Sequence, residues 1–341
     1  MSFRPLAIVT VCVATGAAVQ TAAGQPIADF YRGKTLTMVI GYPPAGANDV
    51  YARMAARHIG KHIPGNPNVV PRNMPGAGSL IAANHIFNVA PKDGTALGLL
   101  VPTLPLEEAL GASAVKFKSA GFHWIGRMAG APNITFIMAT APVRSIADAF
   151  DKTAILGATG RSATNAIYPT ALNNVLGTKF KVVTGHEGSA AAMLAMERGE
   201  VEGHSATYDT LKTVHPDWLA QRKVNVVVQY SLTRHPELKE VPTTVELAGN
   251  PEQAQILRAV SSASEIGKFV LTTPDAPADR VQALRQAFDA MVKDPEFVAD
   301  AQKLRVELGP LPGTELQQIV AEVAGMSPDI VAKVKAIYPL N

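Results

Sequence analysis

"GYPPAGANDVYARMAARH", residues 41–58, follows directly on "TLTMVI", residues 35–40. The earlier stretch is a short apolar run of β-formers. The later one breaks on two prolines and two glycines and restarts with helical spacing from about Asp49 to His62. A strand that turns through Pro/Gly into a helix is the building unit of α/β chains. The unit recurs outward from here. "NVVPRN" (68–73) precedes a helix from about Ser79 to Asn88, and "ALGLLV" (96–101), "ITFIMA" (134–139) and "AILGAT" (154–159) read as further strands. "ATNAIYPTALNNVLG" (163–177) and "SAAAMLAMERG" (189–199) read as helices that stop on glycine. After "VNVVVQY" (224–230) and "GKFVLTT" (267–273) the tail is helical over 276–294, 294–304 and 314–325. This alternation predicts an α/β fold with mainly parallel sheets, and the number of units favours two sheets over one.

The N-terminus predicts the compartment. Arg4, an apolar run from Leu6 to Val19 and the small residues of "QTAAGQ" (20–25) have the layout of a secretory signal peptide over residues 1–24. The run is shorter than the roughly 20 residues a membrane span needs. Cys12, the single cysteine of the 341-residue chain, lies inside it, so the exported chain is expected to carry no disulfide, thiol nucleophile or thiolate metal site. Removing 1–24 takes away Arg4 alone among charged residues and lowers the formal net charge from +3 to +2. That balance, with no Lys/Arg run, excludes a nucleic-acid binder. The chain reads as a soluble, exported protein.

In open parallel sheets, ligands bind beyond the C-terminal strand ends, where loops lead into helix N-termini. Four such junctions are rich in Gly and small polar residues: 41–49, 73–79, 158–165 and 202–209. In the first, Gly46, Ala45 and Ala47 leave the backbone accessible, and Asn48 or Asp49 is placed to cap the helix. Free N–H groups there would receive a carboxylate; taken alone, the loop reads first as a capped connector. In the third, Gly160 frees the backbone, Ser162 and Thr164 offer hydroxyls, and Arg161 is a fixed charge able to pair with an anion. In the fourth, His204, Ser205 and Tyr208 are expected to follow a strand end and line a cleft.

Other motifs fail on their chemistry. "MPGAGS" (74–79) has Ile81 where a dinucleotide fingerprint needs its third glycine, and it lacks the lysine of a phosphate loop. His58 and His62 have the spacing of zinc ligands, but Ile59 replaces the glutamate of the zinc-protease motif and no third ligand is evident. "GRSAT" (160–164) and "GHSAT" (203–207) resemble nucleophile elbows but end in Thr where glycine belongs. Ser162 and Ser205 therefore read as hydrogen-bond donors, with an exported serine hydrolase as the alternative. No metal or cofactor is expected.

"GYPPAGANDVYARMAARHI", "NMPGAGSLIAAN", "APKDGTALG", "MERGEVEG", "HPELKEVPTTVEL" and "TTPDAPADRVQALRQAFDAMVKDPEF" occur in that order along the chain. In this set the sequence resembles the substrate-binding receptors of tripartite tricarboxylate transporters, the Bug family, over about the full length after residue 24. The resemblance implies a two-lobed, periplasmic binding protein of the type II Venus-flytrap class, each lobe a mainly parallel sheet flanked by helices. It implies a monomer, not an enzyme, that closes over a small carboxylate or related organic anion and delivers it to membrane permease subunits; a receptor feeding a sensor is the variant reading. Lobe one is expected over 25–129 and 232–341, lobe two over 130–231. The ligand-binding set it implies is Tyr42, Pro43, Ala45, Gly46, Ala47, Asn48, Gly76, Ala77, Gly78, Ser79, Thr103, Gly160, Arg161, Ser162, Ala163, Thr164, His204, Ser205 and Tyr208, with Asp49 as a helix cap. Two departures bear on the ligand: the family's Tyr-Lys-Gly is His186-Glu187-Gly188 here, and its Phe-Asp-Asn is His204-Ser205-Ala206-Thr207.

Overall fold

Two β-sheets, each covered by helices on both faces, make up the computed structural model, which describes residues 26–160 and 163–337. The expected signal peptide, Cys12, Arg161 and Ser162 lie outside the described residues. The first sheet is built from β1 (Thr35–Ile40), β2 (Asn68–Asn73), β3 (Ala96–Leu99) and β4 (His123–Ala129). The second holds β5 (Asn133–Met138), β6 (Ala154–Ala158), β7 (Phe180–Thr184), β8 (Gly203–Thr207) and β9 (Val224–Tyr230). The chain then returns to the first sheet with β10 (Lys268–Thr272) and the short β11 (Leu311–Pro312). The strand orders are β11-β4-β10-β3-β1-β2 and β7-β6-β8-β5-β9.

Strand directions fix where the loops go. β1, β2 and β3 are parallel, and β10 runs antiparallel to both β3 and β4, so β1 to β4 point the same way. In the second sheet β6, β7, β8 and β9 share one direction, and β5 runs against β8 and β9. The chain leaves the first sheet at the C-terminal end of β4 and enters the second at the start of β5. The C-terminal ends of the parallel strands in both sheets therefore lie toward the crossing between them.

The sheets are buried on both sides, which is why strands such as β1 read as continuous apolar runs. Leu36, Met38 and Ile40 pack with Tyr51 and Phe288 under helices Ala47–Ile59 and Ala278–Met291. Val39 faces the other way, toward Ile86, Trp124, Phe269 and Leu316. In the second sheet, Ile137, Leu156 and Tyr230 pack under helix Thr164–Leu176, and Ile134, Phe136 and Ala206 under helix Ser189–Glu197. Helix Pro251–Ile266, which links β9 to β10, also packs on the second sheet through Ile256, Leu257 and Val260. So does the tail helix Pro328–Ile337, through Ile330, Val334 and Ile337.

Several elements differ from expectation. The first site helix starts at Ala47 and ends at Ile59, and Gly60–His62 form a separate 3-10 turn. "GHSAT" is not a loop beyond a strand end; it is β8 itself, paired with both β5 and β6. β4, β7 and helix Pro251–Ile266 have no counterpart in the sequence reading. Gly126 and Arg127 in β4 and the serines of the helix hide a periodicity that burial in the fold satisfies.

Candidate functional site

Residues Pro43 to Ala47, after β1, are exposed along the crossing edge. Gly46 occupies the N-cap position and offers no side chain, so the first-turn N–H groups of helix Ala47–Ile59 are uncapped. Asp49 is not the cap; it stands three residues inside the helix, almost wholly buried. Its carboxylate accepts from Ala45 N at 3.0 Å, Arg53 Nε at 2.8 Å and Asn73 Nδ2 at 2.7 Å. Burial would raise its pKa, but these bonds outweigh it and keep the carboxylate ionised below its usual range. Asn73 Nδ2 also donates to Tyr42 O at 2.9 Å, and Arg53 Nη2 donates to Asn73 Oδ1 at 2.6 Å. This network holds the loop against the end of β2 and keeps Ala45 at a positive φ of 70°.

The loop after β2 is bound to the same unit. Ala77 and Ser79 adopt φ of 44° and 72°, left-handed values that cost a non-glycine residue energy. Ser79 does not cap helix Leu80–Asn88; its Oγ donates to Gly41 O at 2.7 Å. Gly41 must be glycine, because a Cβ there would run into the Ser79 side chain. Tyr42 reaches the third loop, where its hydroxyl donates to Leu100 O at 3.4 Å. Thr103 precedes helix Leu104–Ala109 and its hydroxyl donates to Glu107 at 2.6 Å. The loops after β1, β2 and β3 thus form one bonded surface that presents Pro43, Gly46, Ala47, Ala77 and Gly78 outward.

On the second sheet, helix Thr164–Leu176 starts from Ala163 without a side-chain cap. Asn165 Oδ1 instead accepts from Thr159 N at 3.1 Å and Thr159 Oγ1 at 3.2 Å, which shapes the turn through Gly160. Ala163 N closes that turn by donating to Gly160 O at 3.1 Å, and Thr164 is exposed. The loop after β7 docks beside it: His186 N donates to Ala158 O at 3.2 Å. Helix Ser189–Glu197 follows, again from an uncapped glycine, Gly188.

The structure corrects the roles of His204 and Ser205. Successive residues of a strand face opposite sides, and both side chains are buried within the lobe, neither in a loop. Ser205 Oγ lies 2.7 Å from Thr135 Oγ1, which lies 2.9 Å from the Tyr230 hydroxyl. A serine held in this hydroxyl cluster is not a nucleophile poised beside a base. His204 lies beneath helix Ser189–Glu197 against Phe136, with ring centroids 5.9 Å apart. Its Nδ1–H donates to Gly157 O at 2.7 Å, while Nε2 is buried without a partner. Burial pushes its pKa below the usual histidine value. Tyr208 begins helix Tyr208–Val214 and is also turned inward, its hydroxyl donating to Glu237 at 3.0 Å.

Sequence reasoning missed Asn73, Arg53 and Asn165, the side chains that set loop geometry. An asparagine at a strand end before a Gly-rich turn was a usable signal for Asn73. It also missed Glu265, which joins the segments crossing between sheets. Its carboxylate accepts from Arg127 Nη1 at 2.8 Å, Leu232 N at 3.0 Å and Thr233 N at 3.2 Å. A cavity of about 320 Å³ opens there between Arg127, Ser231, His235 and Glu307. His58 and His62 lie away from the site; each bonds an aspartate, Asp300 at 3.0 Å and Asp294 at 2.9 Å.

The chain is 27% identical over 237 residues to the UPF0065 protein in the tcbD-tcbE intergenic region of Pseudomonas sp. (strain P51), a match spanning 65% of this chain and 66% of that relative. Its fold is similar to a TctC solute binding protein from Polaromonas, with a TM-score of 0.71 at 20% identity over 89% of this chain and 99% of that one. It is also similar to Rpa4515 of R. palustris, solved with adipate (TM-score 0.58, 21% identity, 90% and 99% covered). MatC of Rhodopseudomonas palustris, with bound malate, gives 0.56 at 20% identity, with 87% and 99% covered. The model of the tripartite tricarboxylate transporter family receptor, TctC, matches residues 51–335. With that match over most of its length, the chain belongs to the TctC receptor family.

Proposed function

We propose that this protein is a periplasmic solute receptor that closes two lobes over a small dicarboxylate and delivers it to the permease subunits of a tripartite transporter. The observation that carries this reading is the set of uncapped helix N-termini at Gly46, Ala163 and Gly188, on strand ends of both sheets directed toward one crossing. Such termini present free N–H groups and the positive end of the helix dipole, which suit a carboxylate at each end of the ligand. Family membership and the adipate and malate of the structural neighbours support the same class.

In this reading lobe one comprises 25–129 and 232–341 and lobe two 130–231, with helices Pro251–Ile266 and Pro328–Ile337 strapping lobe one's chain onto the second core. Backbone of Pro43–Asn48 and Gly76–Ser79 would face Gly160, Ala163 and Thr164 across the cleft, with Thr103 at its side. Arg161 supplies the fixed positive charge. His204, Ser205 and Tyr208 shape the floor from within and do not touch the ligand. Contact with both lobes at once supplies the differential affinity that closure requires.

A thermal-shift panel of adipate, malate, other dicarboxylates, monocarboxylates, phosphate and an alkanesulfonate tests the class. A dicarboxylate at 100 times its Kd should add about 2.7 kcal/mol of stability. A melting temperature unmoved by every carboxylate, or moved only by phosphate or sulfonate, removes the reading. Arg161→Ala should weaken the best ligand about 10–100-fold, the worth of a charge-assisted hydrogen bond. A pull-down on permease subunits separates a transport receptor from one that feeds a sensor.

A further inference from the structure

Two segments bring the bodies into contact through charge. Helix Tyr208–Val214 packs into the second sheet's core through Tyr208 and Leu211. Residues 306–309 belong to the first sheet: Val306 and Leu308 pack on its core, and Gly309 N donates to Met128 O of β4 at 2.8 Å. Across this boundary Lys212 pairs with Glu307. His235 Nε2 also lies 3.5 Å from the Glu307 carboxylate.

Both ends of the pair are anchored. Lys212 Nζ is 3.3 Å from Glu237 and 4.5 Å over the Tyr208 ring, and the Tyr208 hydroxyl donates to Glu237 at 3.0 Å. The Tyr208 and His235 rings meet edge to face, with centroids 5.1 Å apart. On the other side, the Tyr51 hydroxyl donates to Glu307 O at 2.7 Å. Tyr51 stands one turn into helix Ala47–Ile59, the helix that starts from Gly46. An exposed ion pair contributes little, because two long side chains must be ordered to make it. Here neighbours already hold both residues, and Lys212 and Glu307 are only 30% and 34% exposed. Asp209, on the same helix as Lys212, is a second acid in these surroundings; burial, then the Glu307 charge, pushes its pKa up to about 6.

We propose that Lys212 and Glu307 are positioning residues of the receptor. Neither touches the ligand. The pair clasps the second body to helix Ala47–Ile59 and so sets how far that helix's uncapped N-terminus stands from the loops of the second sheet. A ligand that needs both bodies binds in proportion to the fraction of molecules in which they stand at the right spacing. The clasp raises that fraction before the ligand arrives.

The clasp rests on the two-lobed receptor reading, and one arm of its test needs no ligand. Small-angle scattering of the ligand-free protein should give a larger radius of gyration in Lys212→Met and in Glu307→Gln than in the unmodified protein. Lys212→Arg, which keeps the charge, should leave it unchanged. In titration calorimetry with whichever of adipate and malate the thermal-shift panel accepts, each charge-removing variant should bind about 2–5-fold more weakly, the worth of one ion pair. The double variant Lys212→Met/Glu307→Gln should lose no more than Lys212→Met alone, since both changes remove the same contact. Radii that stay the same in both charge-removing variants, or losses that add in the double variant, overturn the clasp and leave the carboxylate reading intact. A silent carboxylate panel removes that reading and leaves the scattering arm to decide the clasp.

Discussion

Asn73 has no charge, yet it holds both the Asp49 carboxylate and the Tyr42 carbonyl. Asn73→Ala leaves a buried carboxylate one bond short and should cost about 1–3 kcal/mol in equilibrium denaturation. Because the same bonds fix the loop after β1, ligand affinity should fall with it. Gly41 and Ser79 test the close approach of the neighbouring loop. Gly41→Ala forces a Cβ into the Ser79 side chain and should destabilise, whereas the Gly41→Ala/Ser79→Gly double variant, with that side chain gone, should recover most of the melting temperature. His204 contributes a pH dependence. Unfolded, it takes up a proton near pH 6.5; folded, burial resists that proton. Stability from this group is therefore level above about pH 6.5 and falls as the pH drops below it. Asp209 acts in the opposite sense, since its raised pKa lets the folded state hold a proton that the unfolded state has lost between about pH 4 and 6. His204→Gln should flatten the acid-side loss in melting temperature between pH 7.5 and 5, and an unchanged slope would discount the histidine.

Elements were legible in proportion to how locally they are determined. β1, β6 and β9 announce themselves as β-former runs, and helix Ser189–Glu197 by its glycine stop. β8 does not: Gly-His-Ser-Ala-Thr has a loop's composition. It becomes a strand because β5 and β6 flank it, and its polar side chains find partners in Gly157 and Thr135. Helix Pro251–Ile266 is similar, with buried Ser261, Ser262 and Ser264 blurring its apolar stripe. At its end Glu265 clasps the crossing segments. Glu265→Ala strands the nearly buried Arg127 and two backbone N–H groups, and should cost roughly 3 kcal/mol in urea unfolding.

At the scale of the molecule, a ligand held by both lobes should protect both from hydrogen exchange. Added dicarboxylate should slow exchange at 44–49, 76–80 and 160–165 together. Protection confined to one sheet's loops would argue for binding without closure. The strand–turn–helix alternation, the Gly/Pro junctions at strand ends and the lack of metal or phosphate motifs were all in the sequence, because periodicity and turn chemistry act over a few residues. Within "GYPPAGAND", an accessible backbone was legible as well. That Gly46 rather than Asp49 starts the helix was decided by Asn73 and Arg53, which draw the carboxylate inward. That His204 and Ser205 point into the lobe and that the tail helix joins the second core were decided by tertiary structure alone. Those contacts join segments far apart in the chain, and only the packing of two sheets brings them within bonding distance.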